Sequence, residues 1–161
     1  MPISFTESRD HILAFLNEHP VGVLATVSKA GQPHAAAVYV TCDQLLNVFF
    51  ITKQDTQKNY NLLANAHAAL TVYDAYSLTT VQLSGRATEV LDVAQRDSIF
   101  NQIWNAALRT SQSGVPPTTR LTAGGYTVYK LSADSARLGT FTQPSVDNYD
   151  HIFETITTPA V

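Results

Sequence analysis

Cysteine, charge and long apolar runs are all scarce in this chain of 161 residues. Its single cysteine, Cys42, excludes an internal disulfide and is expected to be a small, partly buried residue beside a turn. Charged residues make up only 14% of the chain, the net charge is -3, and the sequence holds no basic run. These values argue against binding to nucleic acids or to an anionic membrane surface.

Two further absences concern cellular location and metals. No apolar run approaches the length that spans a bilayer, and the N-terminus lacks a signal-peptide pattern, so a cytoplasmic protein is expected. The 5 histidines have neither a paired spacing nor a cysteine partner, so we expect no metal site. Among them, His34 lies on a predicted strand, where facing a ligand and lying at the surface are both open and the surface position is favoured.

What the chain does contain is a hydrophobic share of 45%, enough for one domain with a core of its own. Short strands joined by tight turns predict a mainly β fold, an antiparallel split barrel of about six strands with peripheral helices. Residues 1–145 are predicted to form this single domain, and residues 146–161, which show no periodicity, a C-terminal extension. The predicted strands are 21–28, 33–40, 48–52, 68–73, 79–90, 126–131 and 136–141, with Gly85 expected at a bulge or barrel corner. The predicted helices are 6–19, 56–65 and 92–109.

Apolar spacing predicts the buried faces of two of these helices. In the first helix, Ile12, Leu13 and Leu16 fall on one face. Asp92 is expected to cap the last helix, whose apolar positions are Ile99, Ile103, Ala107 and Leu108. A breaker-rich loop is expected to follow at residues 111–117.

Residues 52–61 carry the one pattern that points to chemistry. A strand ends at Thr52, Asp55 or Thr56 can act as the N-cap of a helix, and Lys58 then falls in its first turn. A lysine opposes the helix dipole at that place unless an anion binds there, and free backbone N–H groups suit a phosphate. Ordinary surface lysines beside a capped helix remain the alternative interpretation, and spacing alone favours it.

The chain resembles the FMN-binding split barrels related to pyridoxamine 5'-phosphate oxidase over about residues 21 to 141. The resemblance is carried by "GVLATVSKAGQPHAAAVYV" from Gly22, "VFFITKQDTQKNYNLLANAHAALTVYD" from Val48 and "VQLSGRATEV" from Val81. It implies that Thr56 and Lys58 hold the cofactor phosphate and that Thr52 contacts the flavin. The residues that it proposes for cofactor binding are Thr52, Lys53, Thr56, Gln57, Lys58 and Gln82, and no catalytic residue is assigned.

The resemblance further implies FMN as cofactor, with a deazaflavin (F420) or haem as alternatives found in the broad family. It implies a homodimer with the cofactor at the interface, acting on a small-molecule substrate as a flavin-dependent oxidoreductase. A non-catalytic binding or sensing protein on the same barrel is the competing hypothesis, because no substrate site is recognisable.

Departures from the oxidase pattern bear on the substrate. The oxidase has an arginine and a lysine on its second strand, where this chain has Ala36 and Thr41. A glutamine at position 57 replaces the usual arginine, and the C-terminal Arg-x-His signature is missing. We therefore do not expect pyridoxamine phosphate to be the substrate.

Overall fold

Three helices and seven strands account for most of the residues described by the structure, a computed structural model that covers residues 5–111, 125–141 and 152–157. In chain order these elements are α1 (Phe5–Glu18), β1 (Val21–Val27), β2 (Pro33–Cys42), β3 (Val48–Lys53), α2 (Gln57–Ala64), β4 (His67–Asp74), β5 (Thr79–Glu89), α3 (Val93–Thr110), β6 (Tyr126–Thr140) and β7 (Phe153–Thr157).

The strands form one antiparallel sheet in the order β3-β2-β1-β4-β5-β6-β7, and an additional pairing of β3 with β6 closes six of them into a barrel. Buried and exposed residues alternate along the strands. This pattern fits a closed barrel, because every second side chain points into the barrel interior. In β1, for example, Gly22, Leu24 and Thr26 are buried whereas Val21, Val23 and Ala25 are exposed. The predicted mainly β split barrel with peripheral helices is confirmed.

Strand β6 differs from its prediction, since two strands were expected at residues 126–131 and 136–141 and a single strand runs from Tyr126 to Thr140. Its first half pairs with β3 and its second half with β7, while β5 runs along both halves. The pairing with β5 skips Asp134, which confirms the bulge expected at Gly85. A side chain at Gly85 would collide with the carbonyl oxygen of Ser132, so only glycine allows this close approach.

Strand β7 is a second difference, because the sequence indicated no regular element in the last residues. Only Phe153 and Ile156 are apolar in this five-residue strand, which is too short to show a period. Ile156 is 2% exposed and packs into the barrel core, and pairing with β6 supplies the strand's hydrogen bonds. The division into residues 1–145 and 146–161 stays a prediction.

Two helices cover different parts of the barrel. Helix α1 buries Ile12, Leu13 and Leu16 in the barrel core, as its spacing predicted. Helix α3 packs Ile99 and Ile103 on the outer surface of β3 and β6, against Phe49, Ile51 and Val128. Leu108 was predicted for this apolar face but is half exposed, whereas the predicted Ala107 is buried. The breaker-rich loop predicted after α3 begins at Ser111 and otherwise lies outside the described residues.

Candidate anion site at the start of helix α2

The turn between β3 and α2 is held together by two threonines. Thr52, which is 2% exposed at the end of β3, places its Oγ1 atom 2.8 Å from Oγ1 of Thr56. Thr56 also donates to the carbonyl oxygen of Lys53 at 2.8 Å. The predicted residues Thr52, Lys53 and Thr56 are therefore brought together by direct hydrogen bonds.

The N-terminus of α2 lacks the usual side-chain cap. Thr56 occupies the N-cap position with an extended backbone, but its hydroxyl is directed at Lys53 and Thr52 and makes no capping hydrogen bond. The first N–H groups of a helix have no partner within the helix and are normally satisfied by a cap, water or a ligand. An uncapped terminus of this kind presents a partial positive charge to an anion.

Lys58 adds a full positive charge in the first turn of this helix. Burial lowers the pKa of its ammonium group from the ordinary value of 10.5, because the surrounding protein removes water from the charge. The only ion pair among the described residues joins Arg9 to Asp10, so Lys58 has no carboxylate partner there. Lysines at a protein surface are normally solvated, so a half-buried lysine without a carboxylate partner in the described part of the chain is unusual.

The two remaining predicted residues of this segment are exposed. Lys53 is exposed at the end of β3, directly opposite Tyr126 of β6. Gln57 is exposed in the first turn of α2, and its Nε2 atom donates to Oδ1 of Asn61 at 2.9 Å. Both side chains thus border the uncapped terminus without being buried in the core.

Asn61 joins the helix to two barrel strands. It is 1% exposed, and its Nδ2 atom donates to Oγ1 of Thr26 at 3.0 Å. The same amide nitrogen lies 3.1 Å from Nδ1 of His34, which accepts the bond because the amide can only donate. His34 is half-buried and bonded, in contrast to the surface position favoured by the sequence. An asparagine in a helix interior is unfavourable by propensity, and this is the signal that could have identified Asn61.

Asn59 is a second buried asparagine on α2 that the sequence did not single out. Its Nδ2 atom donates to the carbonyl oxygen of Gln54 at 2.9 Å, and its Oδ1 accepts from the hydroxyl of Tyr129 at 2.9 Å. Tyr129 is 3% exposed and stacks on Phe50 in the core. The turn is thereby connected to the interior of the barrel.

Gln82 lies apart from this site. It is half-buried on the outer face of β5, between Thr71 of β4 and Arg137 of β6. On β6, the partners of Thr52 and Lys53 are Thr127 and Tyr126, whereas the partner of Gln82 is Arg137, which lies ten residues further along the strand, or about 30 Å at a rise of ~3.3 Å per residue. One chain therefore brings five of the six predicted residues together and leaves out Gln82.

The outer face of β2, β1 and β4 is apolar and uncovered. Val21 is 43% exposed, Val23 is 48% exposed and Tyr73 is 56% exposed. Ala25, Ala35 and Ala37 are also exposed beside them, and register places Val23 between Ala37 of β2 and Thr71 of β4. We call this surface the alanine–valine face. A contiguous apolar sheet face of this kind is typical of an interaction surface.

A separate cavity of about 250 Å³ lies between α1, β2 and α3. Its polar lining consists of neutral side chains and one guanidinium, contributed by Asn17, Thr41, Gln102, Asn105 and Arg109. Thr41 donates to Oε1 of Gln102 at 3.0 Å across this cavity. None of the six predicted cofactor-binding residues lines it.

Cys42 behaves as the sequence predicted. It is half-buried at the end of β2, and burial together with the nearby carboxylate of Asp43 raises the pKa of its thiol to about 11. The thiol is therefore protonated at neutral pH and is a packing residue. In the ranges 5–111, 125–141 and 152–157, no group of three or more metal-binding side chains occurs, and no helix is long and apolar enough to cross a membrane.

Comparison with known proteins identifies the family. The sequence profile described as pyridoxamine 5'-phosphate oxidase matches residues 8–138, most of the chain. The chain belongs to this family. A search of curated proteins gives no match.

Solved structures share the fold of this family member at low sequence identity. A putative pyridoxamine 5'-phosphate oxidase from Listeria innocua is 22% identical, with a TM-score of 0.62 over 84% of this chain and 98% of the other. A conserved hypothetical protein from Mycobacterium tuberculosis is 20% identical, with a TM-score of 0.67 over 88% of this chain and 92% of the other. The haem storage protein HutZ from Vibrio cholerae is 15% identical, with a TM-score of 0.60 over 78% of this chain and 89% of the other.

Proposed function

We propose that this family member is an FMN-binding oxidoreductase whose cofactor phosphate is held at the start of α2. The observation that carries the proposal is Lys58, a half-buried cation without a carboxylate partner in the described part of the chain. It stands beside a helix terminus whose N-cap residue leaves the first N–H groups uncapped. A phosphate monoester satisfies both features, because it brings negative charge and several acceptor oxygens.

Each side chain of the turn then has a separate task. Lys58 supplies the charge, and the backbone N–H groups at the start of α2 supply directed donors. The hydroxyl of Thr56 donates to Lys53 and can accept from Thr52, so a bond from either hydroxyl to a phosphate oxygen would replace one of these two contacts. Lys53 and Gln57 are both exposed beside the phosphate, and they leave the site open to FMN and to water.

A second copy of the chain is part of this proposal. Gln82 is too far along β5 to meet the turn of its own chain, whereas a homodimer can bring it to the partner's cofactor. The alanine–valine face supports such a dimer, because its small side chains let two sheets approach closely and its apolar surface favours burial. The cofactor would then lie at the interface, with the turn of one protomer and Gln82 of the other contributing to its site.

A flavin bound there supplies the hydride or electron transfer, while the protein binds, orients and tunes it. This division explains why the described residues need no nucleophile or acid–base pair of their own. The substrate is a small molecule, and we do not propose pyridoxamine phosphate. Thr41 stands where the oxidase has a lysine, and the cavity it lines offers neutral amides and a single guanidinium, a weaker match for a phosphorylated substrate than a pair of cations.

A non-catalytic role on the same barrel is the second candidate, with flavin, deazaflavin or haem held without turnover. The fold shared with a haem storage protein supports it. The turn alone does not separate the two, because a propionate of haem is also an anion and can pair with Lys58.

Spectroscopy and titration test the proposal directly. The purified chain is expected to show flavin absorbance or to quench the fluorescence of added FMN, and to bind FMN more tightly than riboflavin. An intense Soret band would support haem instead, and equal affinities for FMN and riboflavin would contradict a phosphate site at α2. Reduction of the bound flavin by NADH, NADPH or another donor separates an oxidoreductase from a storage or sensing protein.

A further inference from the structure

The turn that begins α2 is not supported by its own residues alone. Two hydrogen bonds fix its middle residue, Gln54. The Nδ2 atom of Asn59 donates to the carbonyl oxygen of Gln54 at 2.9 Å, and the N–H group of Gln54 donates to the carbonyl oxygen of Gly125 at 2.9 Å. Gln54 is therefore held through both its N–H and its carbonyl group. Its position decides the path by which the chain enters the helix.

Asn59 in turn depends on the barrel core. It is 5% exposed, and its two amide atoms have one partner each, the donor Tyr129 and the acceptor Gln54. An amide side chain can rotate by half a turn with little change in shape, so the bonds alone decide which atom faces Gln54. The Tyr129 hydroxyl can bond either amide atom in principle, but the carbonyl of Gln54 can only accept. The Gln54 carbonyl therefore selects the orientation, and the Tyr129 hydroxyl serves it as a donor.

Tyr129 is well suited to act as that donor. Its ring is stacked on Phe50 with 5.6 Å between ring centroids, and its strand β6 pairs with both β3 and β5. Burial, with a smaller contribution from Glu89, raises the pKa of its hydroxyl, so the group is protonated throughout the neutral pH range. A rigid, neutral donor thus fixes Asn59.

The third position of a helix is commonly occupied by a glutamate or glutamine that turns back to the N-cap N–H group. Here the residue at that position, Asn59, is directed at Gln54 instead, and the N-cap hydroxyl of Thr56 is directed at Lys53. Both side chains that could close the helix terminus are bonded elsewhere. The N–H groups at the start of α2 are left available as a consequence.

We propose that Tyr129 and Asn59 are positioning residues, which hold the turn in the shape that leaves the start of α2 open to a phosphate. Neither residue touches the phosphate in this arrangement. They act through Gln54 and through the direction in which the chain enters α2. This inference rests on the proposed FMN function and adds to it two residues that contribute to phosphate affinity through the shape of the turn.

The test is the ratio of riboflavin to FMN dissociation constants, since the two ligands differ only in the phosphate. Tyr129→Phe removes one hydroxyl and is expected to lower this ratio about fivefold, the value of one hydrogen bond. Asn59→Ala is expected to lower it at least as much, and the double variant no further than Asn59→Ala alone, because the two residues act in series. Riboflavin affinity is expected to stay the same in all three.

Tyr126→Phe is the matched control, because it deletes a hydroxyl from the same strand on the face covered by α3. It is expected to leave the ratio unchanged. Hydrogen exchange of the ligand-free protein gives an independent readout: Tyr129→Phe should speed exchange in residues 54–58 and leave the barrel strands protected. Asn59→Ala provides the same readout should Tyr129→Phe fail to fold.

The three outcomes of this experiment separate the inference from the function on which it rests. A native chain that prefers FMN, combined with variants that keep this preference and the slow exchange, overturns the positioning role and leaves the function in place. A native chain that binds neither flavin, or binds both equally, overturns both. A lower ratio together with faster exchange confined to residues 54–58 supports both.

Discussion

The starts of α2 and α3 are built in opposite ways within one molecule. Asp92 caps α3, because its carboxylate accepts from the N–H group of Gln95 at 2.7 Å, and its negative charge complements the helix dipole. At α2 the N-cap hydroxyl of Thr56 is turned away and a lysine stands in the first turn. Helix α3 stabilises its terminus by itself, whereas α2 leaves its terminus open.

Under the proposed function, the difference separates a helix that serves packing from one that serves binding. Helix α3 covers the barrel and needs no ligand, so local sequence satisfies its N–H groups. Helix α2 gives up a cap that is typically worth ~1 kcal/mol and places a cation where the dipole disfavours it. A phosphate reverses both costs when it binds.

The largest expected effect is on Lys58. Lys58→Ala should weaken FMN binding by about 10- to 100-fold and leave riboflavin binding unchanged, because one charge-assisted bond to the phosphate is lost. Fluorescence titration of the two flavins measures it. Lys29→Ala, in the exposed turn between β1 and β2, is the control for a general loss of positive charge. Equal weakening by both variants would argue for a diffuse electrostatic effect in place of a site.

A cap can also be built into α2 to make it resemble α3. Thr56→Asp places a carboxylate at the N-cap, where it can bond the free N–H groups and repel a phosphate. FMN affinity should fall about tenfold, while thermal unfolding of the ligand-free protein moves to an equal or higher temperature. Thr56→Ser keeps the hydroxyl and serves as control. Retention of full FMN affinity by the aspartate variant would contradict the site.

The converse change removes the cap of α3. Asp92→Ala should lower the free energy of unfolding by ~1 kcal/mol, measured by urea denaturation, because the N–H group of Gln95 loses its partner. FMN affinity should not change, since the cap of α3 is made within that helix and involves none of the residues of the turn. A loss of FMN affinity as large as that of Lys58→Ala would mean that the two termini are not independent.

The smallest expected effect is a pH dependence from Lys58. Its pKa is lowered in the folded protein and is 10.5 in the unfolded chain, so between those values the unfolded chain binds more protons. The free energy of unfolding of the ligand-free protein should therefore rise with pH across that window, relative to Lys58→Met, which does not titrate. Bound FMN should abolish the rise, because a phosphate favours the charged lysine. Parallel curves for both proteins would contradict burial of the ammonium group.

Much of this contrast is visible in the sequence, and some of it is not. The short strands with their turns and the Asp92 cap are local features, and they predicted the elements from α1 to α3 correctly. The anion site at Lys58 is also read from local sequence and stays a prediction. The bond between Asn59 and Tyr129 and the bond between Asn61 and Thr26 are different, because their partners are 70 and 35 residues apart and no local pattern encodes such pairs. The sequence predicted two strands where the structure has the single strand β6. Its two halves pair with β3 and with β7, and these pairings depend on closure of the barrel, which the residues of β6 do not encode by themselves.

The closing pair β3–β6 has a consequence for synthesis of the chain. It joins residues roughly 80 positions apart, so β3 and β5 each have an unpaired edge until residues 126–131 have been made. Such edges can pair with other chains. A nascent chain released before Tyr126 is therefore expected to aggregate, and the ribosome has to deliver β6 before the barrel can bury its interior.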